Sequence, residues 1–191
     1  YSLLVYFEFN RNSVAEPSNL EPLNIPILAT LPSVQKLDKG YHLSQIFLED
    51  VNSEFAESIR TLRTLLIAKF SKQKSILLTS TYSGEGKTTI ALNTSLAFSK
   101  IGKVLLVETD IRRPSVLNVI SKDETKRPGF SDLIQGKVEF SETIINIPGA
   151  DIDLMTSGAR RSDLTDLTTP KQLKEFFDHL KTAYDYIILD T

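Results

Sequence analysis

The amino-acid sequence has no cysteine and only one methionine among its 191 residues. Without cysteine the chain has neither disulfides nor thiolate metal sites. Its two histidines, His42 and His179, lie far apart with no metal-ligand spacing around them. Basic and acidic residues nearly balance at 22 and 24, so the sequence does not predict a nucleic-acid surface, and we expect no nucleic-acid partner.

Long hydrophobic runs are also missing. The opening stretch YSLLVYFEF is apolar but too short to cross a bilayer, which takes about 20 residues. It predicts either an edge strand or the last turn of a transmembrane helix, and both interpretations stay open. Because the chain begins at Tyr1 without methionine and stops at Thr191 directly after a predicted core strand, we expect it to be a fragment.

The part of the chain up to residue 50 differs in composition from the rest. Residues 10–50 are rich in proline, asparagine and serine and predict an irregular, extended arm. We therefore divide the chain into an arm or linker over residues 1–50 and one α/β-sized domain over residues 51–191.

The domain is predicted to alternate helices and strands. In EFAESIRTLRTLLIAKF, the residues Phe55, Ile59, Leu62 and Leu66 form one helical stripe, and Ser53 is placed to cap the helix. The apolar runs SILLTS, KVLLVET, IDLMTSG and YIILDT predict buried strands, whereas TTIALNTSLAF and PKQLKEFFDHLKTAY predict helices. This order predicts an α/β fold, a parallel sheet with helices on both faces.

The stretch TSTYSGEGKTT joins the first of these strands to a helix and ends like a phosphate-binding loop. Such a loop needs that context because backbone N–H groups and the helix N-terminus must point at the phosphates. Lys87 is expected to reach the β- and γ-phosphates, and the Thr88 hydroxyl to bind Mg²⁺. Thr81 occupies the position of the usual first glycine. The predicted nucleotide-binding residues are Ser83, Gly84, Glu85, Gly86, Lys87, Thr88 and Thr89.

Two further strands end in acidic residues. KVLLVETDIRRP ends in Glu108 and Asp110 and continues into Arg112, and YDYIILDT ends at Asp190. In a parallel sheet the ends of neighbouring strands converge on the ligand crevice, so Asp110 and Asp190 are expected beside the Mg²⁺. The apolar strand that ends in Asp190 has the Walker B pattern. The predicted metal ligands are therefore Thr88, Asp110 and Asp190, in a P-loop NTPase-like sheet that is truncated after the Walker B strand.

Together these motifs resemble the bacterial tyrosine kinase family, the autokinases of capsular and exopolysaccharide synthesis. The resemblance lies in TSTYSGEGKTT, VLLVETDIRRP, YDYIILDT and ESIRTLRT, and it covers about residues 25–191. It implies that residues 51–191 form a C-terminally incomplete kinase domain that transfers phosphate from ATP, with Mg²⁺, to tyrosine. It also implies that Lys87, Asp110, Asp190 and Arg112 are catalytic. For Arg112 two interpretations stay open: it stabilises the transferring charge, or it only pairs with Glu108.

The same resemblance implies partners and a location. Glu57, Arg60 and Arg63, spaced by three on the first long helix, are expected to insert at a neighbouring subunit and close a homo-oligomeric ring. Further expected partners are a membrane chain-length-regulator domain, fused or separate, and a tyrosine phosphatase. The expected location is the cytoplasmic face of the bacterial inner membrane.

The sequence departs from the family pattern at Glu108, where the family has aspartate. The longer side chain makes a metal or base role less fitting, so Asp110 is the preferred candidate. Two alternatives remain open: a switch ATPase like the partitioning ATPases, and a nucleotide-sensing assembly module of the polysaccharide machinery without kinase activity. The loop lacks the additional lysine of partitioning ATPases, since Thr81, Tyr82 and Ser83 occupy that region.

Overall fold

The computed structural model describes residues 27–33, 46–80, 82, 84–120, 127–147, 149–158 and 169–191. Most of the predicted arm, together with Thr81 and Ser83 of the loop, lies outside the described residues. The helices are α1 (Ile46–Glu49), α2 (Glu54–Phe70), α3 (Lys87–Phe98), α4 (Val116–Ile120), α5 (Phe130–Ile134) and α6 (Pro170–Ala183). The strands are β1 (Ser75–Leu78), β2 (Val104–Glu108), β3 (Ile144–Asn146), β4 (Ile152–Met155) and β5 (Tyr186–Asp190).

The long helices begin where the sequence predicts. The Ser53 side chain accepts a hydrogen bond from the Ala56 N–H at the start of α2. Thr169 caps α6 in the same way, and Pro170 occupies its first turn, where a missing N–H has no cost. The apolar stripe of α2 is buried as predicted, because it faces α3 and the sheet.

The five strands form one mostly parallel sheet in the order β1-β5-β2-β4-β3. β5 lies between β1 and β2 and is parallel to both, so the strand that leads into the loop and the two strands with acidic ends are neighbours. One edge departs from the predicted parallel sheet: β3 pairs with β4 in the antiparallel sense. Only five residues join these two strands, and a parallel crossover needs a dozen or more.

Helices pack on both faces of the sheet, as predicted. Alternate residues of β2 point to opposite sides: Val104 and Leu106 belong to a core with α1, α2 and α3, whereas Leu105 and Val107 belong to a core with α5 and α6. α1 lies in the predicted arm, yet its Phe47 is buried and donates its backbone N–H to the Asn93 side chain of α3. The first core therefore includes residues from the arm.

Across the described residues, no helix is both long and apolar enough to span a membrane.

Candidate functional site

The loop between β1 and α3 has a backbone that only glycine adopts without strain. Gly84 and Gly86 have φ angles of 89° and 88°, in the left-handed region. Gly86 is also the N-cap of α3 and has no side chain to cap it. The first N–H groups of α3, from Lys87 to Thr89, therefore have no acceptor within the helix. A loop of this form presents backbone donors and the positive end of a helix to an anion.

Glu85 shapes the loop from inside. Its side chain is almost fully buried, and Oε2 accepts a hydrogen bond of 3.0 Å from the Tyr82 N–H. The Tyr82 side chain, in contrast, is exposed. Glu85 was predicted to bind nucleotide; its carboxylate is turned back toward the loop backbone, so only its main chain is oriented for that role. Ser83, the remaining loop residue of the prediction, lies outside the described residues.

The centre of the site is a hydrogen bond between Thr88 and Asp190. The Thr88 hydroxyl on α3 donates to Oδ2 of Asp190 at the end of β5, over 2.6 Å. The Thr88 hydroxyl oxygen also lies 2.8 Å from the Ser115 hydroxyl oxygen. The structure thus brings together two predicted metal ligands and one residue, Ser115, that sequence reasoning missed. Nothing in the sequence around Ser115 marks it, apart from its position just after a strand end.

Asp190 is the buried carboxylate of the site. Only 3% of its surface is exposed, and Oδ1 has no hydrogen-bond partner among the described residues. Burial raises the pKa of Asp190 to about 6, against the hydrogen bond from Thr88 and the charge of Lys87, which lower it. The charges of Glu108 and Asp110 raise the pKa further. Lys87 and Asp110 are therefore within electrostatic range of Asp190, as the sequence predicts for one crevice.

Asp110 and Arg112 lie on the loop after β2. Oδ1 of Asp110 accepts hydrogen bonds from the backbone N–H groups of Arg112 and Arg113, at 3.0 and 2.9 Å, which fold the loop into a tight turn. The Arg112 side chain is exposed. In the described part of the chain no ion pair joins Arg112 to Glu108, a pairing that the sequence allowed.

Glu108 has a different environment from Asp110. Its carboxylate is buried, and Oε1 accepts from the N–H groups of Ser115 and Val116 at 2.5 and 2.8 Å. Oε2 accepts from the N–H of Ser157, after β4, at 3.2 Å. Glu108 therefore ties the start of α4 and the end of β4 to the end of β2.

The three residues of α2 that are predicted to contact a neighbouring subunit, Glu57, Arg60 and Arg63, are at least partly exposed and have partners within the chain. Arg60 forms an ion pair with Glu57 at 2.6 Å, lies over the Phe47 ring and donates to the Val51 carbonyl. Arg63 donates to the Ala97 carbonyl, in the last turn of α3, at 2.8 Å. Glu57 is the most outward of the three, with 69% of its side chain exposed.

The donor set fits Mg²⁺ held together with a nucleotide. Among the described residues no group of three or more histidine, cysteine, aspartate or glutamate side chains forms a metal site. Mg²⁺ usually binds through one or two carboxylates plus substrate phosphates and water, and does not need a complete protein cage. The unpartnered, buried Oδ1 of Asp190 beside the Thr88 hydroxyl is consistent with such a partial site.

Comparisons with known proteins show the family and the fold. The family described as "AAA domain" matches residues 73–191. The chain is 32% identical to the tyrosine-protein kinase YwqD of Bacillus subtilis over 149 residues, which are 76% of this chain and 62% of that protein. The chain thus spans less than two thirds of this relative.

Two solved structures share the fold over nearly the whole chain. The chimerical protein CapA2B2 has a TM-score of 0.79 at 27% identity, covering 93% of this chain and 75% of that one. The kinase domain of the Escherichia coli tyrosine kinase ETK has a TM-score of 0.83 at 23% identity, covering 94% and 74%; at this identity it supports the fold alone.

Proposed function

Since this chain belongs to the AAA domain family, we propose that it binds ATP at the loop between β1 and α3 and transfers phosphate to tyrosine, as a protein-tyrosine autokinase. The observation that supports the nucleotide site best is the Thr88–Asp190 hydrogen bond at the N-terminus of α3. It joins a phosphate-loop hydroxyl to the carboxylate of a Walker B strand. Similarity to YwqD, a tyrosine-protein kinase, supports the choice of reaction.

In this proposal the loop holds the phosphates of ATP. The N–H groups of residues 84 to 89 donate to phosphate oxygens, and Lys87 at the first position of α3 pairs with the β- and γ-phosphates. Glu85 contributes through its main chain, and Ser83 remains a predicted nucleotide-binding residue. A preorganised set of donors of this kind stabilises charge at little reorganisation cost.

Thr88, Asp190 and Asp110 are the residues that would hold Mg²⁺. The first candidate ligands are the Thr88 hydroxyl and Oδ1 of Asp190, which lie on hydrogen-bonded side chains. Asp110 is an additional candidate, because its charge acts on Asp190. When bound, Mg²⁺ would neutralise charge on the phosphates. Asp190 would remain ionised beside a cation, because a positive charge favours the carboxylate form.

The acceptor is a tyrosine hydroxyl from a neighbouring subunit in this proposal. Asp110 orients or deprotonates that hydroxyl, and Arg112, which is exposed on the same loop after β2, stabilises the transferring charge. Most of the rate enhancement comes from in-line positioning and electrostatic stabilisation.

The biological setting follows from the family resemblance. We propose that the protein regulates the export or polymerisation of a capsular or exopolysaccharide at the cytoplasmic face of the bacterial membrane. Its proposed partners are further copies of itself in a ring, a membrane chain-length-regulator domain and a tyrosine phosphatase. The outward Glu57 on α2 supports a role of that helix face in the ring.

The test is phosphotyrosine formation by the full-length protein with ATP and Mg²⁺, compared with the Lys87→Met variant. Phosphotyrosine in the wild type and its loss in the variant are expected, because Lys87 is the only loop side chain with a positive charge. Equal labelling of both would refute the proposal. ATP hydrolysis without phosphotyrosine would indicate a switch ATPase, and nucleotide-dependent assembly without either reaction would indicate an assembly module.

A further inference from the structure

Ser115 occupies the N-cap position of α4, and its hydroxyl reaches a second helix. Its carbonyl accepts the Val119 N–H, as an N-cap carbonyl does. A serine at this position ordinarily uses its hydroxyl to accept an N–H of the first turn. The Ser115 hydroxyl oxygen also lies 2.8 Å from the hydroxyl oxygen of Thr88, on a different helix.

The Glu108 carboxylate holds the start of α4. This buried group accepts the N–H groups of both Ser115 and Val116, so the start of α4 is capped from β2. A third N–H, from Ser157, occupies the other oxygen. A carboxylate has about four acceptor positions, and three of those of Glu108 are used by backbone donors. Little capacity remains for a metal ion or a substrate proton.

The Ser115 hydroxyl is the donor in its contact with Thr88. The Thr88 hydroxyl has one hydrogen, which it donates to Asp190. In the contact with Ser115 the donor must therefore be Ser115. One lone pair of the Thr88 oxygen then accepts from Ser115, and the other is left for a ligand in the crevice.

We propose that Ser115 is a positioning residue that orients the lone pairs of Thr88, and that Glu108 holds Ser115 in place rather than binding the metal itself. This inference rests on the proposed nucleotide site. Residues behind a metal ligand fix its orientation in this way in many metal sites. It also accounts for glutamate at position 108: the extra methylene, relative to aspartate, reaches the N–H groups of α4.

The experiment measures binding of a fluorescent ADP analogue to the full-length protein, once with Mg²⁺ and once with EDTA. The variants are Ser115→Ala, Glu108→Gln, the double variant and Glu108→Asp. Ser99→Ala, at the other end of α3, and Glu175→Gln, on the exposed surface of α6, are the matched controls. Thermal unfolding of each variant shows whether it remains folded.

Ser115→Ala and Glu108→Gln are each expected to weaken the Mg²⁺-dependent affinity about 10-fold, the range found for residues behind metal ligands. Affinity in EDTA should stay unchanged, because neither side chain contacts the phosphates. The double variant should be no weaker than either single variant, since both changes act through the same Thr88 contact. Glu108→Asp should lose affinity like Glu108→Gln, because its carboxylate is too short to reach α4.

Three results would overturn the inference: Ser115→Ala binding like wild type, additive losses in the double variant, or Glu108→Asp binding as well as wild type while Glu108→Gln does not. The last result would make Glu108 a metal ligand. Wild-type protein that binds Mg²⁺-ADP but forms no phosphotyrosine would refute the kinase and leave this inference standing. Wild-type protein without Mg²⁺-dependent binding would refute both.

Discussion

Thr88 and Asp190 are 102 residues apart in the sequence and are joined by a hydrogen bond of 2.6 Å. β5 is inserted between β1 and β2, so the end of the last strand lies beside the helix that follows the first. The bond satisfies one oxygen of a carboxylate that is 3% exposed and leaves the other without a partner among the described residues. The site therefore holds a buried acid that is poorly solvated without a bound cation.

Asp190→Asn is expected to stabilise the protein in the absence of Mg²⁺ and nucleotide. The pKa of Asp190 is about 6 in the folded chain, above its ordinary value of 3.8. Between these two pH values the folded state binds more protons than the unfolded state. The contribution of Asp190 to the free energy of unfolding therefore falls as pH rises from about 4 to about 6. The variant should gain about 1 to 3 kcal/mol in the free energy of unfolding at pH 8.

Urea unfolding between pH 4.5 and 8 measures this gain. It should shrink as pH is lowered through about 6, because the carboxyl of folded wild type is then protonated and no charge remains buried. A difference between variant and wild type that is independent of pH would contradict the prediction.

Gly86→Ala is expected to destabilise the chain and to abolish nucleotide binding. An added Cβ meets nothing within 4 Å, so the cost is the left-handed backbone alone, about 1–2 kcal/mol. Gly136 is a matched control, with a φ of 67° and equally open space, away from the loop. Gly136→Ala should lose similar stability in thermal unfolding while it binds ADP normally. Equal ADP binding by both variants would contradict the prediction, because phosphate binding would then not depend on the backbone conformation of Gly86.

Substitutions of Glu57 and Arg63 are expected to have different effects: Arg63→Ala lowers stability, whereas Glu57→Gln weakens assembly. Arg63 of α2 is a half-buried charged donor to the Ala97 carbonyl in the last turn of α3. Arg63→Ala removes this hydrogen bond and should lower the free energy of unfolding by about 1–2 kcal/mol. Glu57→Gln breaks only an exposed ion pair, which contributes at most about 1 kcal/mol. In the proposed ring, Glu57→Gln should lower the assembled mass, measured by light scattering, with nearly unchanged thermal stability. An unchanged mass would place the interface elsewhere.

Thr94→Val is expected to stabilise the core. Thr94 in α3 is fully buried, and its hydroxyl has no partner among the described residues. Valine has the same shape without the unpaired group, so unfolding free energy should rise by about 1 kcal/mol. Thr143 is the control: it is equally buried, but its hydroxyl donates to the Phe140 carbonyl over 2.7 Å. Thr143→Val should be neutral or destabilising in urea unfolding, and the opposite order would contradict the argument.

Local signals were sufficient for most of the fold. The stripe of Phe55, Ile59, Leu62 and Leu66, the cap at Ser53 and the proline at the start of α6 each act within a few residues, and the structure follows all of them. The antiparallel β3 was not predicted, because its three residues are too short to show a period. Its pairing depends on the hairpin to β4, which composition alone did not reveal.

The sequence by itself determined the loop, the acidic strand ends and their order along the chain, because phosphate binding needs glycine, lysine and threonine at a set spacing. Only the tertiary structure decided how the carboxylates differ. Glu108 and Asp190 are directly paired neighbours on adjacent strands, yet Glu108 accepts three backbone N–H groups whereas Oδ1 of Asp190 has no partner among the described residues. That difference arises from where α4 begins relative to β2 and β5, a long-range arrangement that no local pattern encodes.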